Sequence, residues 1–150
     1  MIAIKISTKG RYGIRALIDL AARGGCVSLK SVAQNQGLSE GYLERLAAPM
    51  KKAGLIVSVR GPQGGYMLNK SPELISVAEI LRALEGPLYP ADCLSEDENE
   101  SCGTAKCNSC VMLPVWKKIY DKVNDVIEQI TLSDLLRDYA KAEAHLFNIS

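Results

Sequence analysis

The sequence predicts a mainly α-helical protein that carries one small β-hairpin. Three helical patterns precede the hairpin and three follow it, and in each the apolar residues recur every three to four positions. Residues 57–59 and 66–68 instead show the two-residue alternation of short, half-buried strands. The stretch between them, R-G-P-Q-G-G at 60–65, is too rich in glycine and proline for either strand, and this predicts a turn.

Length and composition describe one folded domain with an extension. The chain has 150 residues, of which 47% are hydrophobic and 23% charged, and this excludes a disordered protein. No apolar run approaches the roughly 20 residues of a membrane-spanning helix. The N-terminus, M-I-A-I-K, lacks the apolar region and cleavage site of a signal peptide. We therefore expect a cytoplasmic protein with reduced cysteines and no membrane partner.

The first two helices are marked by their ends. The pattern from Lys9 to Arg23 stops at a Gly-Gly pair. Ser28 is a good N-cap for the second helix, and Gly37 can end it because glycine tolerates the left-handed conformation. Cys26, between the two helices, is far from the other cysteines and has apolar neighbours, so we expect a buried structural thiol.

The third helix is predicted to begin at its N-cap Ser39 and to run to about Ala53. Pro49 should kink it or tighten its last turns, because proline clashes with the carbonyl four residues earlier. One face carries apolar residues that should pack on the first two helices: Leu43, Leu46, Ala47 and Met50. Two helices followed by a cationic hairpin predict a winged helix-turn-helix domain, a fold that holds DNA.

Charge is divided unevenly along the chain. Residues 1–70 contain 11 lysine and arginine residues and three acidic ones, a net charge of +8. Residues 71–150 contain 7 basic and 14 acidic residues, a net charge of −7. A basic half joined to an acidic half is typical of a nucleic-acid-binding domain with a non-binding partner domain. The alternative is solvated charge that segregated by chance.

Candidate DNA-binding residues lie on the first helix, the polar face of the third helix and the hairpin. Polar side chains there can reach base edges and phosphates. The alternatives are an ordinary exposed helix face and, for residues 61–65, a phosphate-binding glycine loop, which no strand-to-helix passage supports. The candidates are Lys9, Arg11, Ser39, Tyr42, Glu44, Arg45, Lys51, Lys52, Arg60, Gly61, Gln63, Gly64, Gly65 and Tyr66.

The second half of the chain predicts three more helices. Ser76 and Glu79 form a capping box for a helix that stops near residue 86. Pro114 is a favourable first residue for the next helix, and Thr131 caps the last one. The middle helix carries an apolar seam, which suggests homodimerisation, with packing onto the winged domain as the alternative. Its residues are Trp116, Ile119, Val123, Val126 or Ile127, and Ile130.

These features divide the chain into three parts. Residues 1–86 form the expected winged helix-turn-helix domain, and residues 114–150 contain the dimerisation helix and the C-terminal helix. Residues 87–113 lack helical periodicity and hold four of the five cysteines, at Cys93, Cys102, Cys107 and Cys110.

Four thiolates within 18 residues of a cytoplasmic protein predict a metal site. Soft sulfur ligands at this density select iron–sulfur clusters or zinc. Zinc ribbons usually pair two C-x-x-C knuckles, and only Cys107 and Cys110 form one, so zinc is the second choice. A redox disulfide between those two cysteines is the third choice, which the acidic run at 96–100 disfavours by raising thiol pKa values.

The chain resembles the Rrf2 family of bacterial winged-helix regulators and, within it, the IscR-like branch that senses iron–sulfur clusters. The cysteine segment matches in its place along the chain, and V-R-G-P-x-G-G-Y is highly specific. The other matching stretches are S-T-K-G-R-Y-G-I-R-A-L at 7–17, G-L-S-E-G-Y-L-E-R-L at 37–46, K-K-A-G-L-I-V-S-V-R-G-P-Q-G-G-Y-M-L at 51–68, I-S-V-A-E-I at 75–80, and V-W-K-K-I through I-T-L-S-D-L at 115–135.

The resemblance implies a homodimer on a pseudo-palindromic, double-stranded DNA operator. The helix after Ser39 would enter the major groove and Arg60 would reach the minor groove. It also implies an iron–sulfur cluster on the cysteine segment, 2Fe–2S being favoured and 4Fe–4S an option, that tunes promoter choice. Cluster-assembly scaffold proteins are further candidate partners.

One departure concerns the fourth cluster ligand. The resemblance implies three cysteines and a histidine three residues after the third, but Cys110 occupies that spacing from Cys107 and residues 87–113 contain no histidine. Another branch of the family takes its fourth ligand from a carboxylate of the first helix, where this chain has Arg11.

We therefore expect a non-enzymatic transcriptional regulator whose DNA binding depends on an iron–sulfur cluster and which governs cluster biogenesis. One alternative is a regulator of the same fold without a cluster, acting in cysteine metabolism or in zinc or thiol sensing. The other is a metal-stabilised electron-transfer protein, which leaves the basic half unexplained.

Overall fold

The computed structural model describes residues 6–91, 94 and 110–147. Within these ranges the chain forms six α-helices, one antiparallel hairpin and a short 3-10 turn at Pro72–Leu74. The elements are α1 (Thr8–Arg23), α2 (Leu29–Gln36), α3 (Glu40–Lys52), β1 (Ile56–Val59), β2 (Gly65–Leu68), α4 (Val77–Glu85), α5 (Leu113–Gln129) and α6 (Leu132–Phe147). The predicted fold class, mainly helical with a small hairpin, is confirmed.

The helix ends lie where the capping residues predicted them. Ser28 and Ser39 each accept a hydrogen bond from the backbone N–H three residues later, at 3.2 Å in both cases. Gly37 adopts the left-handed conformation after α2, with φ +65° and ψ +33°. Ser76 and Glu79 form the complete capping box at the start of α4. Local sequence signals therefore set most helix boundaries in the N-terminal half.

The hairpin is anchored to the helices by backbone pairing. β1 pairs with β2 in the register Ile56↔Leu68 to Val59↔Gly65. Val27, just before α2, then forms an isolated bridge with Tyr66. Its N–H donates to the Tyr66 carbonyl at 2.9 Å, and its carbonyl accepts from the Tyr66 N–H at 2.8 Å. The segment between α1 and α2 therefore acts as a third, one-residue strand of the wing.

One apolar core joins the helix-turn-helix to the C-terminal helix. Leu17, Leu43 and Ile80 are fully buried at the meeting of α1, α3 and α4, at 0–1% exposure. Leu132, the first residue of α6, is also fully buried in this cluster. The start of α6 is held there by backbone bonds in which Val77 N–H donates to the Ile130 carbonyl and Leu132 N–H to the Ile75 carbonyl, both at 2.8 Å.

The helices α1 and α4 approach each other closely because α1 presents two glycines to α4. Gly10 and Gly13 are buried, and a Cβ at Gly13 would overlap the Leu84 side chain. A Cβ at Gly10 would overlap the Glu85 carboxylate. A larger residue at either position would therefore require the Leu84 or the Glu85 side chain to shift.

Two local predictions have different outcomes. The prediction that Cys26 is buried is wrong, because the residue is exposed and its Sγ lies 3.6 Å from the Gln63 carbonyl of the wing. Val27, its neighbour, takes the buried position, since only one of two successive residues in extended chain can face the core. Pro49 lies inside α3, which continues to Lys52.

None of the helices in the described part of the chain is both long and apolar enough to cross a membrane.

We expect Gly13→Ala to destabilise the fold by about 1 kcal/mol. Overpacking against Leu84 costs ~1–3 kcal/mol and is only partly offset by the ~1 kcal/mol that alanine gains in helix propensity. The matched control is Gly41→Ala in α3, where an added Cβ has nothing within 4 Å. Urea unfolding should show the control equal to or more stable than wild type. Equal stabilisation by both substitutions would contradict the packing argument.

Candidate nucleic-acid interface

The predicted polar face of α3 is on the surface. Glu44, Arg45, Lys51 and Lys52 are exposed, while the four apolar residues predicted to face the core are buried, each at 1–2% exposure. Ser39 is exposed too, but its Oγ already accepts the Tyr42 N–H as the helix cap. Its first role is therefore to begin the helix, and its hydroxyl proton remains available as a donor.

Tyr42 is half-buried instead of pointing freely into solvent. Its ring meets the ring of Tyr12 edge to face, with centroids 6.2 Å apart. Arg15 lies 5.5 Å from the Tyr12 ring and Arg45 lies 5.6 Å from the Tyr42 ring. Each arginine follows its tyrosine by three residues on one helix face, so α1 and α3 carry matching Tyr-x-x-Arg pairs. Tyr12 and Arg15 are not among the candidate residues predicted from the sequence, although the shared Tyr-x-x-Arg spacing is visible there.

The N-terminal turn of α1 and the front of α3 form one surface depression. Lys9, Tyr42 and Arg45 line a cavity of about 250 Å³ together with Leu84 of α4. Lys9 and Tyr42 also line an adjoining depression with Ser7 and Thr8. The structure therefore brings the α1 candidate Lys9 to the α3 candidates. Arg11 is exposed in the same first turn of α1 but lines neither depression.

A carboxylate from α4 holds the N-terminus of α1. Glu85 Oε1 accepts hydrogen bonds from the Ser7 N–H at 2.8 Å, the Ser7 Oγ–H at 2.6 Å and the Gly10 N–H at 3.1 Å. A negative charge is favourable there, because the first backbone N–H groups of a helix lack internal partners. Glu85 therefore fixes the turn that carries Lys9 and Arg11. Sequence reasoning missed this residue, since its partners are 75–78 positions away.

The wing candidates divide into exposed and structural residues. Arg60, Gly61 and Gln63 are exposed at the tip. Gly64 and Gly65 are half-buried, and both lie too close to backbone for a side chain: a Cβ at Gly64 would be 2.5 Å from the Val59 carbonyl oxygen, and one at Gly65 would overlap the Val27 carbonyl.

The ends of the hairpin connect to the core and to α3. Tyr66 is half-buried and packs against the core cluster. Lys51 Nζ donates to the Ser58 Oγ at 2.8 Å and so ties the end of α3 to β1. Tyr66, like the two glycines before it, shapes the wing, and the tip residues remain available for contact.

A second surface lies on α5. None of its residues is buried, and an open apolar groove of about 560 Å³ runs along it. The groove is lined by Val115, Lys118, Ile119, Lys122, Val123, Val126 and Ile127. Four of the predicted seam residues are among these, whereas Trp116 is half-buried and not part of the lining. The helix is also tied to α4, because Arg82 Nη2 donates to the Glu128 carboxylate at 2.6 Å and to the Asn124 Oδ1 at 3.3 Å.

Only one of the four predicted metal ligands lies within the described residues. Cys110 is exposed and free, and its carbonyl accepts the Leu113 N–H at 3.1 Å where α5 begins. Cys93, Cys102 and Cys107 lie outside the described residues. Within the described ranges, no group of three or more His, Cys, Asp and Glu side chains could hold a metal ion. The donor chemistry of the complete set, four thiolates, fits a cluster.

Comparison with known proteins gives a consistent result. A family profile described as "Rrf2: Iron-dependent Transcriptional regulator" matches residues 6–138. The HTH-type transcriptional regulator CymR of Bacillus subtilis is 42% identical over 149 residues, which cover 97% of this chain and 100% of that protein. The HTH-type transcriptional regulator IscR of Pectobacterium carotovorum is 32% identical over 137 residues, covering 90% of this chain and 80% of that protein.

Among solved structures, this chain is again similar to an IscR and to a CymR. The structure titled "T. potens IscR" superimposes with a TM-score of 0.71 at 45% identity, covering 92% of this chain and 90% of that one. The structure of CymR, described as the global cysteine regulator of B. subtilis, superimposes with a TM-score of 0.70 at 42% identity, covering 89% of this chain and 96% of that one.

Proposed function

Because the chain belongs to the Rrf2 family of transcriptional regulators, we propose that it binds a double-stranded DNA operator as a homodimer. We further propose that its operator affinity depends on an iron–sulfur cluster held by the cysteine segment. The observation that carries the DNA-binding part is the set of exposed cationic and polar side chains on α1, α3 and the wing tip, in a half of the chain with net charge +8.

The two kinds of basic residue have different roles. Lys9, Lys51 and Lys52 are exposed lysines near helix ends and are suited to phosphates. Arg60 stands alone at the start of an exposed turn, where a narrow A·T-rich minor groove attracts a single guanidinium. Phosphate contacts set the position of the protein on the duplex, and the arginine and the front of α3 then select the sequence.

We expect Arg60→Ala to weaken operator binding and to relax discrimination at A·T-rich positions. Lys52→Ala should weaken operator and random DNA alike and should reduce the slope of log K against log salt by about 0.9, the value for one lost phosphate contact. Fluorescence anisotropy with both DNAs over a salt series measures both effects. The control is Lys117→Ala, an exposed lysine of α5 outside the groove. Operator binding by the Arg60 variant indistinguishable from wild type would remove the wing from the mechanism.

The homodimer is supported by the groove on α5. The groove presents five aliphatic side chains and two lysines along one helix, the residue types usual for a face that pairs with another helix. Val126, in the second half of the groove, is 57% exposed. A second copy of the same helix would bury these residues in a symmetric contact.

Val126→Asp should convert the dimer to monomer and weaken operator binding at least tenfold, because a two-site operator needs both protomers. Sedimentation velocity at micromolar protein measures the oligomeric state. Leu74→Asp is the matched control, an apolar side chain of the 3-10 turn that is 69% exposed and outside the groove. A Val126 variant that sediments as a dimer would contradict a dimer interface on α5.

The cluster is supported by the relationship to IscR and by the chemistry of the four cysteines. A bound iron–sulfur cluster supplies a centre whose presence and redox state follow iron and oxidant supply. Cys110 is exposed and lies three residues before α5 begins, so the segment that would hold the cluster leads directly into the proposed dimer helix. Thiolate ligation by Cys93, Cys102 and Cys107 would complete the set.

Wild-type protein purified without oxygen should show visible charge-transfer absorption and should contain iron and acid-labile sulfide. The Cys110→Ser variant should lose most of the absorption, the iron and the sulfide. Cys26→Ser is the matched control, since Cys26 is also exposed but lies between α1 and α2, outside the cysteine segment. Stoichiometric zinc in a colourless wild type would identify a zinc site instead. Retention of the full cluster in Cys110→Ser would exclude that residue as a ligand.

A regulator of the same fold without a cluster is the second candidate, and the relationship to CymR favours it. That relative, a cysteine regulator by its title, matches almost the whole chain at 42% identity. A colourless, metal-free wild-type dimer that still binds its operator would establish this function.

A further inference from the structure

Two tyrosines and two arginines form one continuous stack across the contact between α1 and α3, in the order Arg15, Tyr12, Tyr42, Arg45. Each guanidinium lies over the ring of its own helix, at 5.5 Å on α1 and 5.6 Å on α3. The two rings meet edge to face, the arrangement that aromatic pairs prefer. Both rings are half-buried and pack against the apolar core, whereas both arginines are exposed. The aromatic centre of the stack is therefore held by the core, and its two cationic ends are open to solvent.

The two arginines of this stack form no ion pair and no hydrogen bond within the described residues. Three other arginines in the same part of the chain, Arg23, Arg82 and Arg137, each form an ion pair with a carboxylate. In the stack an aromatic face takes the place of the carboxylate, so it holds the guanidinium while leaving its N–H donors free for a ligand.

Arg45 also lies beside a second cation. It lines the cavity of about 250 Å³ together with Lys9, and none of the described residues around that cavity is acidic. Like charges that share a cavity repel each other, so this cavity favours a ligand that presents hydrogen-bond acceptors or negative charge. Lysine is a point charge suited to a phosphate, whereas the planar arginine fork matches two acceptors at once. In DNA the O6 and N7 atoms of guanine form such a pair in the major groove.

We propose that Arg45 reads a guanine of the operator and that Tyr12 is its positioning residue, acting through the Tyr42 ring. The Tyr12 ring restricts the orientation of the Tyr42 ring, and the face of Tyr42 restricts the Arg45 side chain in turn. A side chain that is restricted before binding loses less conformational freedom on binding, and this favours a directional contact to a base. The inference rests on the proposed DNA binding and adds which base one side chain selects and which residue behind it supports that choice.

Selection from a random double-stranded DNA pool by the full-length wild type defines the preferred sequence, and competition anisotropy at fixed salt measures the preference at each position. We expect a preference for guanine that Arg45→Ala reduces about fivefold or more, the value of one bidentate base contact. Arg45→Lys should reduce it as well, because lysine retains the charge and loses the planar fork. Tyr12→Leu should reduce the same preference about two- to fivefold, the range of one ring contact, and leave the other positions unchanged.

Rescue by a conservative variant separates positioning from a direct contact. Tyr12→Phe retains the ring, and the Tyr12 hydroxyl forms no hydrogen bond within the described residues, so this variant should match wild type. Tyr139→Leu, the same kind of change at an exposed tyrosine of α6 outside the stack, is the matched control and should keep the guanine preference. Thermal unfolding of each variant first establishes that it folds, and Tyr12→Met replaces Tyr12→Leu if the latter does not.

Several results would overturn the inference while leaving DNA binding intact. If Arg45→Ala weakens all sequences alike and lowers the salt slope, the residue contacts a phosphate, and if it alters a preference for another base, the guanine assignment is wrong. If Tyr12→Phe loses the preference as Tyr12→Leu does, the hydroxyl acts instead of the ring. If Tyr12→Leu keeps a preference that Arg45→Ala loses, Tyr12 has no positioning role. A wild type that selects no sequence would overturn the proposed function and this inference together.

Discussion

The contact between α1 and α4 is the interaction on which the arrangement of both surfaces depends. It is possible because Gly10 and Gly13 leave room for Leu84 and the Glu85 carboxylate. The same helix α4 contributes Ile80 and Leu81 to the core and sends Arg82 to α5. One short helix of nine residues therefore fixes the first turn of α1 on one side and the groove-bearing helix on the other.

The ion pair that holds α5 and the apolar contacts that hold α6 differ in strength. The Arg82–Glu128 ion pair is about half exposed at both ends, so it contributes at most about 1 kcal/mol. Buried apolar contacts such as that of Leu132 are stronger, at about 1.5–3 kcal/mol for each fully buried side chain. The start of α6 is thus held firmly in the core, while α5, which has no buried residue, is held by weaker surface contacts. A helix of this kind adapts readily to a partner.

Local features of the fold could be predicted from sequence, and long-range features could not. Ser28, Ser39 and Ser76 cap helices through bonds to residues three positions away, so a short window contains both partners. The role of Glu85 could not be predicted from sequence, because its hydrogen-bond donors lie at the other end of the domain. The exposure of Cys26 depends on the pairing of Val27 with Tyr66, which turns the cysteine outward, and no local pattern encodes that pairing.

The bridge between Val27 and Tyr66 has a further consequence for how this protein can change over time. It consists of two backbone hydrogen bonds and a glycine, Gly65, that admits close approach, so it makes no demand on the side chains of the tip. Residues 60, 62 and 63 can therefore be exchanged without loosening the hairpin from the domain, whereas Gly61, at φ +123°, is required as a glycine. Evolution, or an engineer, can therefore change those three positions one at a time while the attachment of the hairpin to the domain stays the same.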